Sequence, residues 1–323
     1  MSDRDKIIEI ISREKKFYLI SHMLPDGDSI GSLLGMGMAL KLAGKKVNMY
    51  TPGHLPSKYS FLKGADLVEN DQFGEDEEAT VIVLDSSDPE RLGELRDDVM
   101  KFSRIINIDH HVTNQRFGNY NLVDAEASAT GEIVYKILSD AGFIINKGVA
   151  ESLYVAISTD TGSFKFDNTT SQTHLVIAEL LQYELSPGQL SQRVFDERPL
   201  SFYILLREAL SGLEMFGNRR IAVMTLSRDI RQRSGATSDE LEGIVNYSRN
   251  IEGIELGILF YVDTTEEVKV GFRSKQLDVS ELAGRFNGGG HVRAAGCRIK
   301  GDYETVKNRV IAEAEKMLQS YPA

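Results

Sequence analysis

The chain has 323 residues, 41% of them hydrophobic, with one cysteine and a net charge of −11. That length and apolar content predict a sizeable core split between two domains, and the acidic balance argues against a protein that coats long nucleic acid, which needs a basic track. No apolar stretch approaches the roughly 20 residues of a membrane helix, and a lone Cys297 closes no internal disulfide, which suits a reducing cytoplasm.

The charged start Met1-Ser2-Asp3-Arg4-Asp5 leads into an amphipathic helix over Asp5–Lys16, unlike a signal peptide. Phe17-Tyr18-Leu19-Ile20 reads as a strand, and Ser21-His22-Met23-Leu24-Pro25-Asp26-Gly27-Asp28-Ser29 follows it. Pro25 and Gly27 force a turn there, so His22, Asp26 and Asp28 can converge. Asp28 or Ser29 can then cap a helix over Ile30–Ala43. Its glycines, Gly31, Gly35 and Gly37, each cost about 1 kcal/mol against alanine, and close packing on a sheet is the expected reason.

Lys46–Tyr50 and Thr80–Leu84 read as further strands, the second a continuous apolar run of the parallel-sheet type. Asp85 stands just past its end, before Ser86-Ser87-Asp88-Pro89. Arg104-Ile105-Ile106 is another buried strand, and it delivers Asn107-Ile108-Asp109-His110-His111-Val112-Thr113-Asn114. Helices are expected over Ser128–Ala141 and Val149–Ser158, the latter ending in Thr159-Asp160-Thr161-Gly162, and over Ser171–Gln182.

These elements place residues 1–185 in a first domain, 186–217 in a helical linker and 218–323 in a second domain. The second domain reads as strands over Ile221–Thr225, Glu255–Val262, Glu267–Phe272 and Arg293–Ile299, with turn chemistry at Asp263-Thr264-Thr265. Helices are expected over Ser238–Tyr247, Val279–Arg285 and Tyr303–Leu318, and Asn287-Gly288-Gly289-Gly290-His291 breaks the pattern. The fold class is therefore α/β, a parallel sheet with helices on both faces joined to a smaller mixed-sheet α/β domain.

Four strand or helix ends thus carry His22, Asp26 and Asp28; Asp85; Asp109, His110 and His111; and Asp160. Ligands of open α/β sheets bind at such ends. The set is carboxylate and imidazole without sulfur, which suits manganese or magnesium and also admits zinc, cobalt or iron. So many carboxylates suit two divalent ions sharing one of them, an arrangement that hydrolyses phosphate esters. In the second domain, Gly288, Gly289, Gly290 and His291 offer an anion close backbone approach and a donor, and Arg273 and Ser274 offer a fork and a hydroxyl. The expected arrangement is a cleft, with metals on the first domain and the substrate grip on the second.

His22-Met-Leu-Pro-Asp26-Gly-Asp28, Leu84-Asp85-Ser-Ser-Asp88, Asp109-His110-His111 and Thr159-Asp160-Thr161-Gly162 resemble, in order and spacing, the four motifs of the DHH phosphoesterases. Gly288-Gly-Gly-His291-Val-Arg-Ala-Ala-Gly296 resembles the signature of the DHH-associated C-terminal domain. Length and signature look like the short branch, the nano-RNases (bifunctional oligoribonucleases and pAp phosphatases) and the phosphodiesterases of linear dinucleotides such as pApA and pGpG. The resemblance implies that His22, Asp26 and Asp85 hold one metal and Asp28, Asp85, His110 and Asp160 the other. Asp85 would bridge, His111 would face the scissile phosphate and Asp109 would orient the histidines. Arg273, Ser274, Gly289, Gly290 and His291 would bind the nucleotide. It implies Mn2+, with Mg2+ or Co2+ as substitutes, and short oligoribonucleotides, linear dinucleotides or pAp as partners, with no long nucleic acid and no membrane. A homodimer stays open. Two other readings compete: a family II inorganic pyrophosphatase or exopolyphosphatase, which would want more cations in its second domain, and a catalytically silent nucleotide-binding sensor, which would tend to lose a ligand that this chain keeps.

Overall fold

In the computed structural model, residues 2–70, 73–76, 78–236, 238–262 and 266–320 are described, without the side chains of Ser238, Asp239, Glu242 and His291. The turn anticipated at Asp263-Thr264-Thr265 lies outside them, as does the ring of His291. The chain divides into two compact units, Met1–Glu197 and Arg198–Ala323.

The first unit runs α1 (Asp3–Arg13), β1 (Lys16–Ile20), α2 (Gly27–Leu42), β2 (Lys46–Tyr50), β3 (Val68–Glu69), β4 (Thr80–Leu84), α3 (Arg96–Val99), β5 (Ile105–Asp109), β6 (Tyr120–Val123), α4 (Thr130–Asp140), α5 (Lys147–Asp160), α6 (Ser171–Leu180) and α7 (Pro187–Ser191). Its six strands pair in parallel in the order β3-β2-β1-β4-β5-β6. The order reverses between β1 and β4, and a crevice at such a switch point is where open α/β sheets bind ligands. Ile20 sits beside Val83 and Leu84 beside Ile108, so β1, β4 and β5 end at one edge.

Alternation along the strands feeds two cores. Phe17, Leu19, Ile82 and Leu84 pack under α1, α2, α4 and α5. Tyr18, Ile20, Val81 and Val83 face a thinner cover made of Phe73, Leu92, Leu95, Val99 and Phe102. The glycines of α2 answer to its neighbours at close range. A Cβ on Gly31 would lie 2.4 Å from the Ser152 carbonyl and one on Gly35 2.5 Å from Leu153, both on α5, whereas one on Gly37 would meet Met49 of β2 at 2.3 Å. Sheet packing therefore explains Gly37, while helix–helix contact explains the other two.

The helical stretch after residue 186 is divided between the units. Leu190 and Val194 belong to the first unit's core, and Phe202, Leu205 and Ala209 of α8 (Leu200–Ser211) belong to a cluster of the second. That unit continues with β7 (Glu214–Phe216), β8 (Ile221–Ser227), α9 (Arg228–Ser234), α10 (Ser238–Arg249), β9 (Leu256–Val262), β10 (Glu267–Ser274), α11 (Val279–Gly284), β11 (Gly289–His291), β12 (Ala294–Lys300) and α12 (Tyr303–Gln319). The sheet order is β11-β12-β10-β9-β8-β7, antiparallel except for the β8–β9 pair. Cys297 is buried in its core, and burial pushes the thiol up to about 12, a structural residue. Among the described residues no helix is long and apolar enough to cross a membrane.

Candidate metal centre

Local conformation aims each side chain at the switch point. His22 lies two residues past the end of β1, and its Nδ1 lies 2.7 Å from the Met23 carbonyl, which leaves Nε2 pointing inward. That Nε2 is buried and has no hydrogen-bond partner within the protein. Asp26 caps α2, accepting from Ser29 N at 3.0 Å. Asp85 directly follows β4 with φ of 59°, a left-handed conformation that is strained for a side chain bearing Cβ but tolerated by aspartate. This kink turns the carboxylate into the cluster, where Thr130 Oγ1 donates to it at 2.9 Å. Asp109 belongs to β5 itself, since the strand runs through Asn107 and Ile108 to its end.

Asp28 is held most tightly. Its Oδ2 accepts from Thr130 N at 2.7 Å and its Oδ1 from Gly131 N at 2.9 Å and Ser32 Oγ at 3.0 Å. It thereby serves as the cap of α4, whose own N-cap residue, Ala129, has no side chain for the task. Gly131 permits the approach, because a Cβ there would meet Ala156 of α5 at 2.5 Å. Asp160, the last residue of α5, completes that side of the cluster.

The resulting geometry is three interlocked triads: His22, Asp26 and Asp85; Asp28, His110 and Asp160; and Asp85, His110 and His111, with candidate ligand atoms within 4.8 Å of one another in each. His22 Nε2 lies 3.5 Å from Asp85 Oδ2 and 3.9 Å from Asp26 Oδ1. His110 Nε2 lies 3.7 Å from Asp28 Oδ2, 3.7 Å from Asp85 Oδ1 and 3.5 Å from Asp160 Oδ2. His111 differs from the other two imidazoles. Its Nδ1 lies 3.8 Å from Asp85 Oδ1 but only 2.7 Å from Asp109 Oδ1, so that nitrogen is committed to Asp109. Asp109 in turn accepts at Oδ2 from Asn114 Nδ2 at 2.6 Å, and Asn114 also reaches Asn107 Oδ1 at 2.9 Å and the Ser86 carbonyl at 3.1 Å. Thr130 and Asn114 were not anticipated as functional; Asn114 stands three residues after His111, whereas Thr130 is remote in the chain from every motif residue.

Electrostatics favour a cation at this place. Burial, then the charges of Asp85, Asp160 and Asp26, push Asp28 well above the usual carboxylate range. Burial, with the charges of Asp85 and Asp26, overcomes His110 and raises Asp160 to about 7. Burial opposes ionisation of Asp85 too, but contact with His22 and the charges of His22, His110 and His111 hold it well below its ordinary value. Burial pulls His111 down, and the Asp109 contact with the Asp85 and Asp109 charges outweighs it, raising the imidazole to about 9. Crowded carboxylates around an orphaned, buried imidazole nitrogen are a donor set that fits divalent metal.

The second unit's anticipated residues divide. Arg273 lies on β10 and donates from one Nη to its neighbour's carbonyl, Phe272 O, at 2.9 Å. Ser274 is buried and donates from Oγ to Leu277 O at 2.5 Å, so its hydroxyl proton is spent inside the fold. Gly288 and Gly290 are required by packing on β12, where a Cβ would meet Gly296 O at 2.3 Å and Ala294 O at 2.6 Å, respectively. Around Gly289 a Cβ would find nothing within 4 Å.

A parallel α/β unit with interlocked carboxylate–imidazole triads at its switch point, followed by a mixed-sheet unit, defines an α/β protein with a candidate metal centre of the phosphoesterase type. The chain belongs to the DHH family: the DHH family, N-terminal domain, matches residues 16–157, and the DHHA1 domain matches residues 218–320. It is 34% identical to the bifunctional oligoribonuclease and PAP phosphatase NrnA of Thermus thermophilus, over 94% of this chain and 91% of that protein. It is 30% identical to the Bacillus subtilis protein of the same name, over 98% and 99%. The crystal structure of an exopolyphosphatase-related protein from Bacteroides fragilis superposes with a TM-score of 0.91 at 26% identity, covering 98% of this chain and 97% of that one.

Proposed function

We propose that this chain is a two-metal phosphodiesterase that releases mononucleotides from short oligoribonucleotides and from linear dinucleotides such as pApA and pGpG, and that also removes the 3′-phosphate of pAp. The observation that carries the reading is the membership of Asp85 in two triads, with its two oxygens directed to different imidazoles. His22, Asp26 and Asp85 would hold one ion and Asp28, Asp85, His110 and Asp160 the other, with Mn2+ the best match to an all-oxygen-and-imidazole set. A bound divalent pair supplies a lowered water pKa and charge neutralisation at phosphoryl oxygens.

The chain's own residues do the rest. Thr130 and the N-terminus of α4 hold Asp85 and Asp28 in place without reorganisation. Asn114 fixes Asp109, Asp109 fixes His111 through Nδ1, and the other ring nitrogen is the one left to donate to a phosphoryl oxygen. Arg273, the glycine segment 288–290 and His291 would contact the nucleotide, in keeping with the DHHA1 match over that region. Both NrnA relatives are named for the two activities proposed here and cover more than nine-tenths of this chain.

The test is a hydrolysis panel in manganese: pApA, pGpG, RNAs from two to about ten nucleotides, pAp, pyrophosphate and polyphosphate. Rates should fall as the RNA lengthens, because an acidic chain has no basic track for added phosphates. Faster turnover of pyrophosphate or polyphosphate than of any nucleotide would overturn the reading.

A further inference from the structure

Glu132 is a carboxylate in the first turn of α4, 1% exposed, and it belongs to none of the three triads. Its Oε2 accepts from Ser128 N at 3.2 Å, from Ser128 Oγ at 2.9 Å and from Thr173 Oγ1 at 3.2 Å, and its Oε1 accepts from Lys136 Nζ at 2.7 Å. Burial opposes ionisation of this group, but Lys136 and the two Ser128 donors outweigh burial and hold it below its ordinary value. Apolar side chains of similar volume often fill such a place with no loss of stability. The buried charge therefore calls for a use beyond holding the fold.

The donors that Glu132 holds lead to the metal centre. Ser128 precedes Ala129, the N-cap of α4. The two amides that follow, Thr130 N and Gly131 N, bind Asp28 at 2.7 and 2.9 Å, and Thr130 Oγ1 binds Asp85 at 2.9 Å. In a capping box, the N-cap side chain caps the helix while the third helical residue returns its side chain to the N-cap amide. Here that box is divided between segments. Glu132, at the third position, reaches one residue further back, to Ser128 N, and the capping oxygens come from Asp28 on α2.

A second arm leaves from the Ser128 carbonyl, which accepts from Asn168 Nδ2 at 3.0 Å. The same amide nitrogen donates its other proton to the Asp160 carbonyl at 3.2 Å. A third arm runs through Thr173, whose hydroxyl also accepts from Thr170 N at 3.2 Å in the capping box of α6. Glu132 thus reaches Asp28, Asp85 and Asp160 through intervening residues. Three carboxylates converging on one point repel one another, so the segments that carry them need fastening from behind.

We propose that Glu132 is a positioning residue of the metal centre: its buried carboxylate clamps the turn 128–131 and, through the Ser128 carbonyl, the Asn168 amide, so that Asp28, Asp85 and Asp160 converge at ion-binding separation. This role rests on the reading of the cluster as a metal centre and adds the frame that holds its acids in register.

The test is manganese binding to the full chain by titration calorimetry, with circular dichroism to establish folding and pApA turnover at saturating manganese. Glu132→Gln keeps an oxygen for Ser128 but sets an NH2 group against the Lys136 ammonium, donor facing donor. Manganese affinity and kcat should each fall about 10-fold, with KM for pApA unchanged. Glu132→Gln combined with Lys136→Met removes the opposing donor and should recover most of both losses; no recovery would overturn the acceptor role. Asn168→Ala, at the surface, and Ser128→Ala each remove part of the frame and should weaken manganese about 3- to 10-fold. Ile137→Val, on the core side of α4, is the control for lost stability alone, with a lower Tm and unchanged manganese affinity. A folded Glu132→Gln chain with lowered Tm but wild-type manganese affinity and kcat would overturn the proposal and leave Glu132 a purely structural residue. Should Glu132→Gln not fold, wild-type affinity in both Asn168→Ala and Ser128→Ala overturns it equally. A wild-type chain that binds no manganese overturns the metal centre itself, and the positioning role with it.

Discussion

Gly31→Ala tests whether helix packing sets the candidate metal centre. In an isolated helix the substitution would stabilise by about 1 kcal/mol. Here the new methyl would lie 2.4 Å from Ser152 O and 2.8 Å from Ala156 N, both backbone atoms of α5. No rotamer change relieves a backbone clash, so α2 and α5 must separate by about 1 Å to restore ordinary contact. Overpacking of this kind costs about 1–3 kcal/mol, so the net loss after the helix gain is up to about 2 kcal/mol. For a unit this size a loss of about 2 kcal/mol, the upper end, lowers Tm by roughly 4–8 °C. The functional cost should be larger. Asp28 rides on α2 and Asp160 on α5, and both lie within reach of His110 Nε2, at 3.7 and 3.5 Å. Misplacement by about 1 Å can cost on the order of 10²-fold in rate. Thermal melts with and without manganese, beside pApA turnover, read both effects. Gly284→Ala, where a Cβ meets nothing within 4 Å, is the control and should gain about 0.5–1 kcal/mol. A Gly31→Ala protein with wild-type Tm and turnover would refute the idea that α2–α5 contact sets the site.

Three further outcomes follow from the same geometry. Asp85→Asn keeps shape and removes the charge shared by two triads, so turnover should vanish and metal analysis should find fewer ions per chain; full metal occupancy would refute the bridging role. Asn114→Asp keeps the acceptor for Arg116 N but turns a donor into a carboxylate facing Asp109, Asn107 Oδ1 and Ser86 O, so metal content should hold while turnover falls about 10- to 100-fold. The third concerns pH. Asp160 keeps its proton to about 7 in the folded, metal-free chain against 3.8 when unfolded. Between those values the unfolded state releases a proton that the folded state retains, so this group's contribution to metal-free stability falls as pH rises through that window. Metal must displace that proton, so the Tm increment from saturating manganese should be larger near pH 8 than near pH 5.5; the opposite order would refute the assignment of Asp160 as a ligand.

Apolar runs made β1, β2 and β4 legible in the sequence, and with them His22 and Asp85 as residues at strand ends. The pattern lost β5 after Ile106 because Asn107 is polar yet fully buried, its amide donating to Ser86 O at 3.1 Å. β6 went unread because all four of its residues are half-buried at a sheet edge, where neither alternation nor an apolar run develops. Thr130 and Asn114 act through contacts 45 and 5 residues away, to Asp85 and Asp109. No local spacing signals the first, and an asparagine after a strand reads equally well as a turn. Ser274 shows the converse: a hydroxyl that looks available in sequence is consumed by the Leu277 carbonyl three residues on.

Asp28 caps α4 with the same carboxylate that faces His110. That double duty shapes how such a protein can decay over evolutionary time. Losing Asp160 removes a candidate ligand and relieves crowding among acids, so the fold is left standing or even steadied. Losing Asp28 strips the first turn of a buried helix of its acceptors, so the lesion strikes folding before it strikes chemistry. Descendants that abandon catalysis while remaining folded should therefore shed Asp160 early and retain Asp28 longest, and an aspartate at this position in a silent relative would report on helix capping, with no bearing on whether that relative still turns over.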